Sequence, residues 1–332
     1  MADFRFLPRI AILTAFGAVL FAVTASANPS SWKFEWSKTD FSKHSVDYSE
    51  IMSGGPPKDG IPSIDNPKFV ALADLKDVAG SEPVIGFSHN GDARAYPLRV
   101  LIWHEIVNDT VGGLPITVTY CPLCNSAIVF DRRLDGRVLD FGTTGKLRKS
   151  DLVMYDRQTE SWWQQFIGEG IVGEMTGKRL KMLPARVESL DNFRKRFKTA
   201  KVLVPNRAGM RRYGRNPYVG YDSSSRPFLY RGDYPKGIKP MAYVVAVGNQ
   251  AWPLDLIREK KIITAGDLRL SWSAGQNSAL DAGVIGSGRD LGNIIVQKKS
   301  INGSGGWQDA VHDLTFAFVF HAFVPNGAIH TR

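Results

Sequence analysis

The sequence predicts a mainly β protein with a few short helices, a β-rich α+β fold made of two related halves with a long insertion between them. The 332 residues include 32 glycines and 18 prolines, which mark frequent turns. Val, Ile and aromatic residues recur in short runs of strand length. A pattern of strand, short helix and strand occurs twice, which indicates an internal duplication of a sheet-rich unit.

The repeated pattern begins with a strand and a short helix. Residues 95–102 (Ala-Tyr-Pro-Leu-Arg-Val-Leu-Ile) return at 251–257 as Ala-Trp-Pro-Leu-Asp-Leu-Ile. An apolar run of strand length precedes each copy. Pro97 and Pro253 are each expected at the first position of a helix, where the missing N–H of proline is harmless.

A second strand follows each helix and leads into a loop. The strands Ile116–Tyr120 and Leu268–Trp272 run into Cys-Pro-Leu-Cys-Asn-Ser-Ala at 121–127 and Ser-Ala-Gly-Gln-Asn-Ser-Ala at 273–279. The shared Asn-Ser-Ala supports a duplication. The first copy has His104, Cys121 and Cys124, and the second has Lys260, Ser273 and Gln276 at the matching positions. The sequence therefore predicts a single reactive site, in the first half.

Two local signals predict further elements. Asp135-Gly136 between apolar runs indicates a hairpin turn, so both cysteines are expected in a loop between strands. Ser189 is expected to cap a helix that has Asp191 in its first turn and cations near its C-terminal end.

The expected organisation has five segments. They are a signal peptide at 1–27, an N-terminal extension at 28–66, a first repeat with the cysteine loop at 67–145, an insertion with aromatic and basic stretches at 146–240, and a second repeat without cysteines at 241–332. The chain after the signal peptide is long enough for one large domain or two average ones.

The N-terminus has the pattern of a secretory signal peptide. Arg5 and Arg9 precede an apolar run from Ile10 to Val23, which ends in Ala-Ser-Ala at 25–27. This run is shorter than the roughly 20 residues that span a bilayer, and its small final residues suit cleavage after Ala27. We expect a periplasmic or secreted protein that is not an integral membrane protein after cleavage. This location disfavours nucleic acid as a partner.

One stretch accounts for most of the net charge of +10. Between Asn192 and Asn216 there are nine Lys or Arg residues and no acidic residue. The stretch fits either a solvated helix face with a basic loop or a site for an anion. The residues expected in such an anion site are Arg207, Arg211, Arg212 and Arg215. A non-catalytic binding module for an anionic ligand is therefore one candidate function.

The only two cysteines, in Cys-Pro-Leu-Cys, allow three interpretations. The first, which we favour, is thiol/disulfide redox chemistry, as in a thiol-dependent oxidoreductase. The second is a site for a soft metal ion, Cu(I) or zinc, with Cys121, Cys124 and His104 as ligands. The third is a structural disulfide, which would stabilise a ring this small by only about 2 kcal/mol before strain. A redox or metal-donor protein is the expected partner.

His104 and Glu105 complete the expected catalytic set with Cys121 and Cys124. A neighbouring imidazolium would lower the pKa of the Cys121 thiol, and Glu105 would orient the imidazole ring. The sequence contains no Gly-x-Ser-x-Gly, His-Glu-x-x-His or Gly-x-x-x-x-Gly-Lys-Ser/Thr motif. Conventional hydrolase, zinc-peptidase and nucleotide-dependent activities are therefore disfavoured.

Four motifs in order resemble a bacterial family of secreted proteins, called domain of unknown function 3179. They are Trp103–Asp109 (Trp-His-Glu-Ile-Val-Asn-Asp), Thr119–Phe130 around the cysteines, Ser150–Trp162 and Gly214–Tyr218 (Gly-Arg-Asn-Pro-Tyr). The resemblance covers roughly Pro67 to Pro325. It implies no settled activity, so the function must be argued from the residues.

Overall fold

The computed structural model describes residues 29–300 and 306–332. The expected signal peptide at 1–27 lies outside the described residues. The fold is mainly β, with 39% strand and 14% helix. Five sheets of four or five strands are arranged as the blades of a propeller-like ring. The predicted class, mainly β with few short helices, is confirmed.

Twenty-four strands and five short α-helices occur within the described ranges. The strands are β1 (Ile51–Ser53), β2 (Lys68–Ala71), β3 (Pro83–His89), β4 (Asp92–Pro97), β5 (Ile106–Val111), β6 (Leu114–Cys121), β7 (Ser126–Asp131), β8 (Arg133–Leu134), β9 (Arg137–Val138), β10 (Phe141–Arg148), β11 (Asp151–Asp156), β12 (Trp162–Gln164), β13 (Glu169–Val172), β14 (Lys181–Leu183), β15 (Arg186–Ser189), β16 (Lys201–Val204), β17 (Tyr243–Val247), β18 (Gln250–Pro253), β19 (Ile262–Ala265), β20 (Leu268–Ser273), β21 (Asn293–Lys299), β22 (Trp307–Asp309), β23 (Asp313–Phe316) and β24 (Ala328–Ile329). The helices are α1 (Pro29–Trp32), α2 (Leu98–Leu101), α3 (Leu190–Arg196), α4 (Leu254–Lys260) and α5 (Ala317–Phe323). None of these helices has the length and apolar character of a membrane span.

Each large sheet has its own set of strands. In order across each sheet, sheet A is β1-β10-β11-β12-β13, sheet B is β14-β7-β6-β5, sheet C is β15-β3-β4-β16-β2, sheet D is β23-β17-β18-β24 and sheet E is β19-β20-β21-β22. The hairpin β8–β9 forms a separate two-stranded ribbon.

Sheets C and D share one topology, and sheets B and E share another. In sheet C, the hairpin β3–β4 lies between β15, antiparallel to β3, and β16, parallel to β4. In sheet D, the hairpin β17–β18 lies in the same way between β23 and β24. Sheets B and E are each an antiparallel meander of three consecutive strands, with a fourth strand added from later in the chain.

The segment 146–240, expected as an insertion, is not a separate unit. Its strands β14, β15 and β16 pair with β7, β3 and β4, which belong to the segment 67–145. Its earlier strands β11 to β13 join β10, and β1 of the N-terminal extension, to form sheet A. The sequence did not indicate these pairings because the partner strands are far apart in the chain and several have only three or four residues.

The loops that follow β6 and β20 differ in length. Cys121 pairs with Ser126 across a tight turn, whereas Ser273 pairs with Asn293 across the long connection 274–292. The second Asn-Ser-Ala, at 277–279, lies inside this connection and does not begin a strand. The shared tripeptide therefore occupies different places in the two copies of the sequence pattern.

Several local predictions are confirmed. Asp135 and Gly136 both have a left-handed backbone, with φ of 49° and 76°, and link β8 to β9. Helix α3 begins after Ser189, whose side chain accepts a hydrogen bond from an N–H of the first turn. Helices α2 and α4 begin at Leu98 and Leu254, one residue later than expected, so the preceding prolines are N-cap residues.

Buried side chains connect the sheets. One large apolar core includes residues of all five sheets, among them Tyr120 and Trp163. The buried Asn293 side chain of sheet E accepts a hydrogen bond from the Ser189 N–H of sheet C over 2.7 Å and donates to the Ala274 carbonyl over 3.1 Å. Because a buried N–H needs an acceptor, this amide helps to hold sheets C and E together.

Removing the Asn293 amide should destabilise the protein. Asn293→Ala would leave the buried Ser189 N–H without its acceptor, and we expect the free energy of unfolding in urea to fall by about 1–3 kcal/mol. Gln308→Ala, on an exposed position of the edge strand β22, is the control and should change it by less than about 0.5 kcal/mol. Equal effects of the two substitutions would contradict the proposed role of Asn293.

Candidate functional site

The two cysteines lie at the turn between β6 and β7. Cys121 is the last residue of β6, and β7 begins at Ser126. The turn is closed by the Cys124 N–H, which donates to the Cys121 carbonyl over 3.2 Å, and Asn125 adopts a left-handed backbone with φ of 48°. A strand therefore follows the cysteines, as predicted.

Both sulfur atoms are buried free thiols. The exposed fraction is 2% for Cys121 and 0% for Cys124. The Cys124 thiol donates a hydrogen bond to the Ser150 carbonyl over 3.5 Å, and the Cys121 thiol makes a longer contact of 3.9 Å with the same oxygen. The Ser150 carbonyl, which both thiols contact, belongs to the turn between β10 and β11 in sheet A.

This turn also brings a carboxylate to the sulfurs. Lys149 and Ser150 both have a left-handed backbone, with φ of 53° and 69°, and Asp151 begins β11 immediately afterwards. One oxygen of Asp151 and the sulfurs of Cys121 and Cys124 all lie within 4.8 Å of one another. The sequence analysis did not place Asp151 in the site, because nothing local distinguishes it from the other acidic residues of its segment.

The two oxygens of Asp151 differ in their partners. Oδ2 accepts hydrogen bonds from Gln164 Nε2 over 2.6 Å and from the Phe166 N–H over 2.9 Å. Arg148 in turn donates to the Gln164 side chain over 3.3 Å. Oδ1 is buried and has no hydrogen-bond partner of normal geometry among the described residues, although both thiols are near enough to the carboxyl to lower its pKa. Burial raises the pKa of Asp151 to about 6.

Glu105 lies on another side of the cysteines. Its backbone is left-handed, with φ of 59°, and its carbonyl accepts a hydrogen bond from the Tyr120 N–H over 2.8 Å, next to Cys121. Burial, and then the charge of Asp151, raise the pKa of Glu105 to about 8. Glu105 also contributes to the raised pKa of Cys121, so it is electrostatically coupled to the thiol. The sequence placed Glu105 in the site, but with the role of orienting His104.

The structure does not bring His104 into the cysteine cluster. Its Nδ1 is 2.7 Å from the Pro62 carbonyl, which can only accept, so Nδ1 carries a proton. Its Nε2 is 2.8 Å from the Tyr213 hydroxyl. Burial lowers the pKa of His104, which favours the neutral ring. Both ring nitrogens therefore have partners other than the thiols, and the expected activation of Cys121 by a His104 imidazolium has no geometric support.

Burial also determines the protonation of the thiols. It raises the pKa of Cys121, and it raises the pKa of Cys124 well above the ordinary value for a thiol. The acidic neighbour Asp151 contributes in the same direction at both cysteines. Reactive cysteines have a lowered pKa and partial exposure, and this pair has neither property.

Comparison with known proteins identifies the family. The family described as "Protein of unknown function (DUF3179)" matches residues 58–327. The chain belongs to this family. No curated protein and no solved structure matches the chain. The chemistry of this DUF3179 protein therefore has to be derived from its own side chains.

The connection 205–242, between β16 and β17, covers the cysteine turn of this DUF3179 protein. Tyr221 donates its hydroxyl proton to the Leu123 carbonyl over 3.0 Å, within the Cys-Pro-Leu-Cys turn. Ser150 donates to the Phe228 carbonyl over 2.6 Å. Tyr218 is close enough to Glu105 and Cys121 for their charges to raise its pKa, although burial is the main cause. The motif Gly214–Tyr218 is thus part of the site's cover.

The four arginines expected to bind an anion lie in the same connection. Arg207, Arg212 and Arg215 are exposed, and Arg211 is half-buried. None of the four forms an ion pair with an acidic residue among those that the structure describes. Arg211 is near enough to His104 to contribute to the lowering of its pKa. Anion binding by these arginines stays a prediction.

The thiols should be slow to react in the folded protein. The raised pKa of each thiol lowers its thiolate fraction at pH 7, and burial restricts access of the reagent further. We expect labelling by Ellman's reagent to be at least about tenfold slower in the native protein than in urea, where both thiols should react at the ordinary rate. Rapid labelling of Cys121 in the native protein would contradict the buried arrangement.

Proposed function

We propose that this protein binds a divalent metal ion of the zinc class through Cys121 Sγ, Cys124 Sγ and Asp151 Oδ1. The proposal rests on the Asp151 carboxylate, which has one oxygen within 4.8 Å of both sulfurs and whose buried Oδ1 has no hydrogen-bond partner of normal geometry among the described residues. A buried carboxylate oxygen without a partner is costly in free energy, and a cation at this point would remove that cost.

The charges around the cysteines support a cation. Among the described residues, neither Asp151 nor Glu105 forms an ion pair with a Lys, Arg or His side chain. Buried acidic groups of this kind are otherwise paired or bind metals. A metal ion would also stabilise the thiolates, since a coordinated thiol is deprotonated. The raised pKa values of the metal-free thiols and the proposed coordination are therefore compatible.

The donor set favours zinc over Cu(I). Two thiolates suit either ion, but a carboxylate oxygen is a ligand for zinc and a poor one for Cu(I). Two thiolates and one carboxylate carry three negative charges, so a divalent ion leaves less net charge buried than a monovalent ion. In a tetrahedral zinc site, Zn–S bonds of about 2.3 Å and Zn–O bonds of about 2.1 Å separate the ligand atoms by roughly 3.6–3.8 Å. The three ligand atoms lie within 4.8 Å of one another, so binding would require them to approach by about 1 Å at most.

Residues around the three ligands would hold them in place. Gln164 and the Phe166 N–H hold Oδ2 of Asp151 and make no hydrogen bond to Oδ1. Arg148 extends this support through Gln164. Such outer partners commonly orient metal ligands and maintain affinity. A fourth coordination position would be available for water.

Thiol/disulfide redox chemistry, which the sequence favoured, has less physical support than metal binding. A redox pair needs an accessible thiolate as nucleophile, whereas both thiols are buried with raised pKa values. The expected activating residue, His104, forms its hydrogen bonds with Pro62 and Tyr213. The close approach of two sulfurs remains the one observation in favour of a reversible disulfide.

We also propose that the two halves arose by duplication, with boundaries that differ from those expected. The matching topologies of sheets C and D, and of sheets B and E, support halves at 83–204 and 243–329. The strands from β8 to β13, between β7 and β14, are then the inserted part.

Export to the periplasm, indicated by residues 1–27, is part of the proposed function, with a metal-donor protein as the expected partner.

Metal binding should depend on the three proposed ligands. The reduced protein, loaded with Zn²⁺ and desalted, should contain one zinc per chain by elemental mass spectrometry. Cys121→Ser, Cys124→Ser and Asp151→Asn should each lower the affinity at least tenfold in competition with a chromogenic chelator, because each removes one charged ligand. Asp267→Asn is the matched control, since this aspartate is exposed on sheet E, and it should retain full affinity.

A Co²⁺-loaded sample provides an independent check on the ligands. It should show sulfur-to-cobalt charge-transfer absorption that weakens in the Cys121→Ser and Cys124→Ser variants and persists in Asp267→Asn. Protein that binds no zinc, but forms a Cys121–Cys124 disulfide reversibly in a thiol buffer, would overturn metal binding and select the redox function.

A further inference from the structure

A cavity lies apart from the cysteine turn, between sheets B and D. Its volume is about 390 Å³, within the range that small-molecule sites have. Most of its walls are apolar. The apolar side chains that line it include Ile128, Phe166, Met182, Ala246, Phe323 and Val324.

The buried wall of this cavity carries one carboxylate, Asp313, the first residue of β23. Its Oδ1 accepts a hydrogen bond from the Ala127 N–H over 2.9 Å. Its Oδ2 is buried and has no hydrogen-bond partner among the described residues. Burial raises the pKa of Asp313 to about 7. The nearby Ser126 hydroxyl makes this rise smaller, although Ser126 forms no hydrogen bond of normal geometry with Oδ2.

Two basic residues line this cavity, Arg179 and His312, and neither neutralises Asp313. His312 Nδ1 is 2.8 Å from the Ala310 carbonyl, and burial lowers the pKa of His312, which favours the neutral ring. Arg179 lines the cavity, but it is exposed and forms an ion pair with Glu169 over 2.6 Å. Asp313 forms no ion pair with any residue in the described ranges. The cavity thus combines apolar walls with one buried hydrogen-bond acceptor, Asp313 Oδ2, that has no hydrogen-bond donor among the described residues.

We propose that this cavity binds a small apolar amine, with the ammonium group paired with the Asp313 carboxylate and the hydrocarbon part packed against the apolar walls. An ammonium group supplies both the missing donor and the missing positive charge, and such charge-assisted hydrogen bonds are stronger than neutral ones. The hydrocarbon part gains free energy from removal of its surface from water. This site uses none of the proposed metal ligands, although the charge of Asp151 contributes to the raised pKa of Asp313.

Strand β23 connects the cavity to the cysteine turn. Thr315, two residues after Asp313, donates its hydroxyl proton to the Cys124 carbonyl over 2.7 Å, and Asp313 accepts from Ala127 on β7. The Asn125 side chain donates to the Leu314 carbonyl over 2.7 Å. A ligand in the cavity would therefore contact the strand that supports the proposed metal site.

The test uses 2-phenylethylamine, with 2-phenylethanol as the uncharged probe of the same shape, in titrations followed by ligand-observed NMR and calorimetry. The amine should saturate one site per chain and bind at least tenfold more tightly than the alcohol. Asp313→Asn should reduce amine affinity at least tenfold and leave the alcohol nearly unchanged. Asp255→Asn, on an exposed face of α4, is the control and should bind both probes as the unmodified protein does.

A second variant keeps the test valid if Asp313→Asn is poorly folded. Val324→Trp, at a half-buried wall position, should fill part of the cavity and weaken both probes, with an unchanged unfolding temperature. Binding of the amine should persist in Cys121→Ser, which separates this proposal from the metal site. No saturable amine binding, or amine binding that Asp313→Asn leaves unchanged, would overturn the proposal.

Discussion

The burial of the Asp151 carboxylate beside two thiols is the constraint on which the rest of the site depends. A carboxylate loses its hydration in such a place, and protein donors satisfy only one of its two oxygens. The site must therefore keep Asp151 protonated, raise the pKa values of the thiols beside it, or accept a cation. The raised pKa values of Asp151, Cys121 and Cys124 are the consequence when no cation is bound.

Backbone strain accompanies this arrangement. Glu105, Asn125, Lys149 and Ser150, all at or next to the cysteine cluster, have left-handed backbones without being glycine. Each such residue costs on the order of 1 kcal/mol or more, so the surrounding sheets must stabilise them. The strain has a structural result, since Lys149 and Ser150 turn the chain so that the Ser150 carbonyl and Asp151 meet the sulfurs. Strained residues of this kind concentrate at functional sites.

Sheets B and E show why the cysteine cluster forms at only one of two similar sheets. They have the same strand order, but the tight turn after Cys121 corresponds to the long connection 274–292 after Ser273. At sheet B, the turn between β10 and β11 of sheet A supplies Ser150 and Asp151 to the cysteines. The cluster thus depends on a short turn in sheet B and on its contact with sheet A.

Local patterns in the sequence determined the mainly β class, the hairpin at Asp135, the Ser189 cap and the position of the cysteines between strands, because each depends on residues close together in the chain. Only the tertiary structure decided which groups meet. Asp151 reaches Cys121 from another sheet, while His104, beside Glu105 in sequence, forms its hydrogen bonds with Pro62 and Tyr213. Strand pairing and strained turns set these contacts, and both depend on long-range packing that no local pattern encodes.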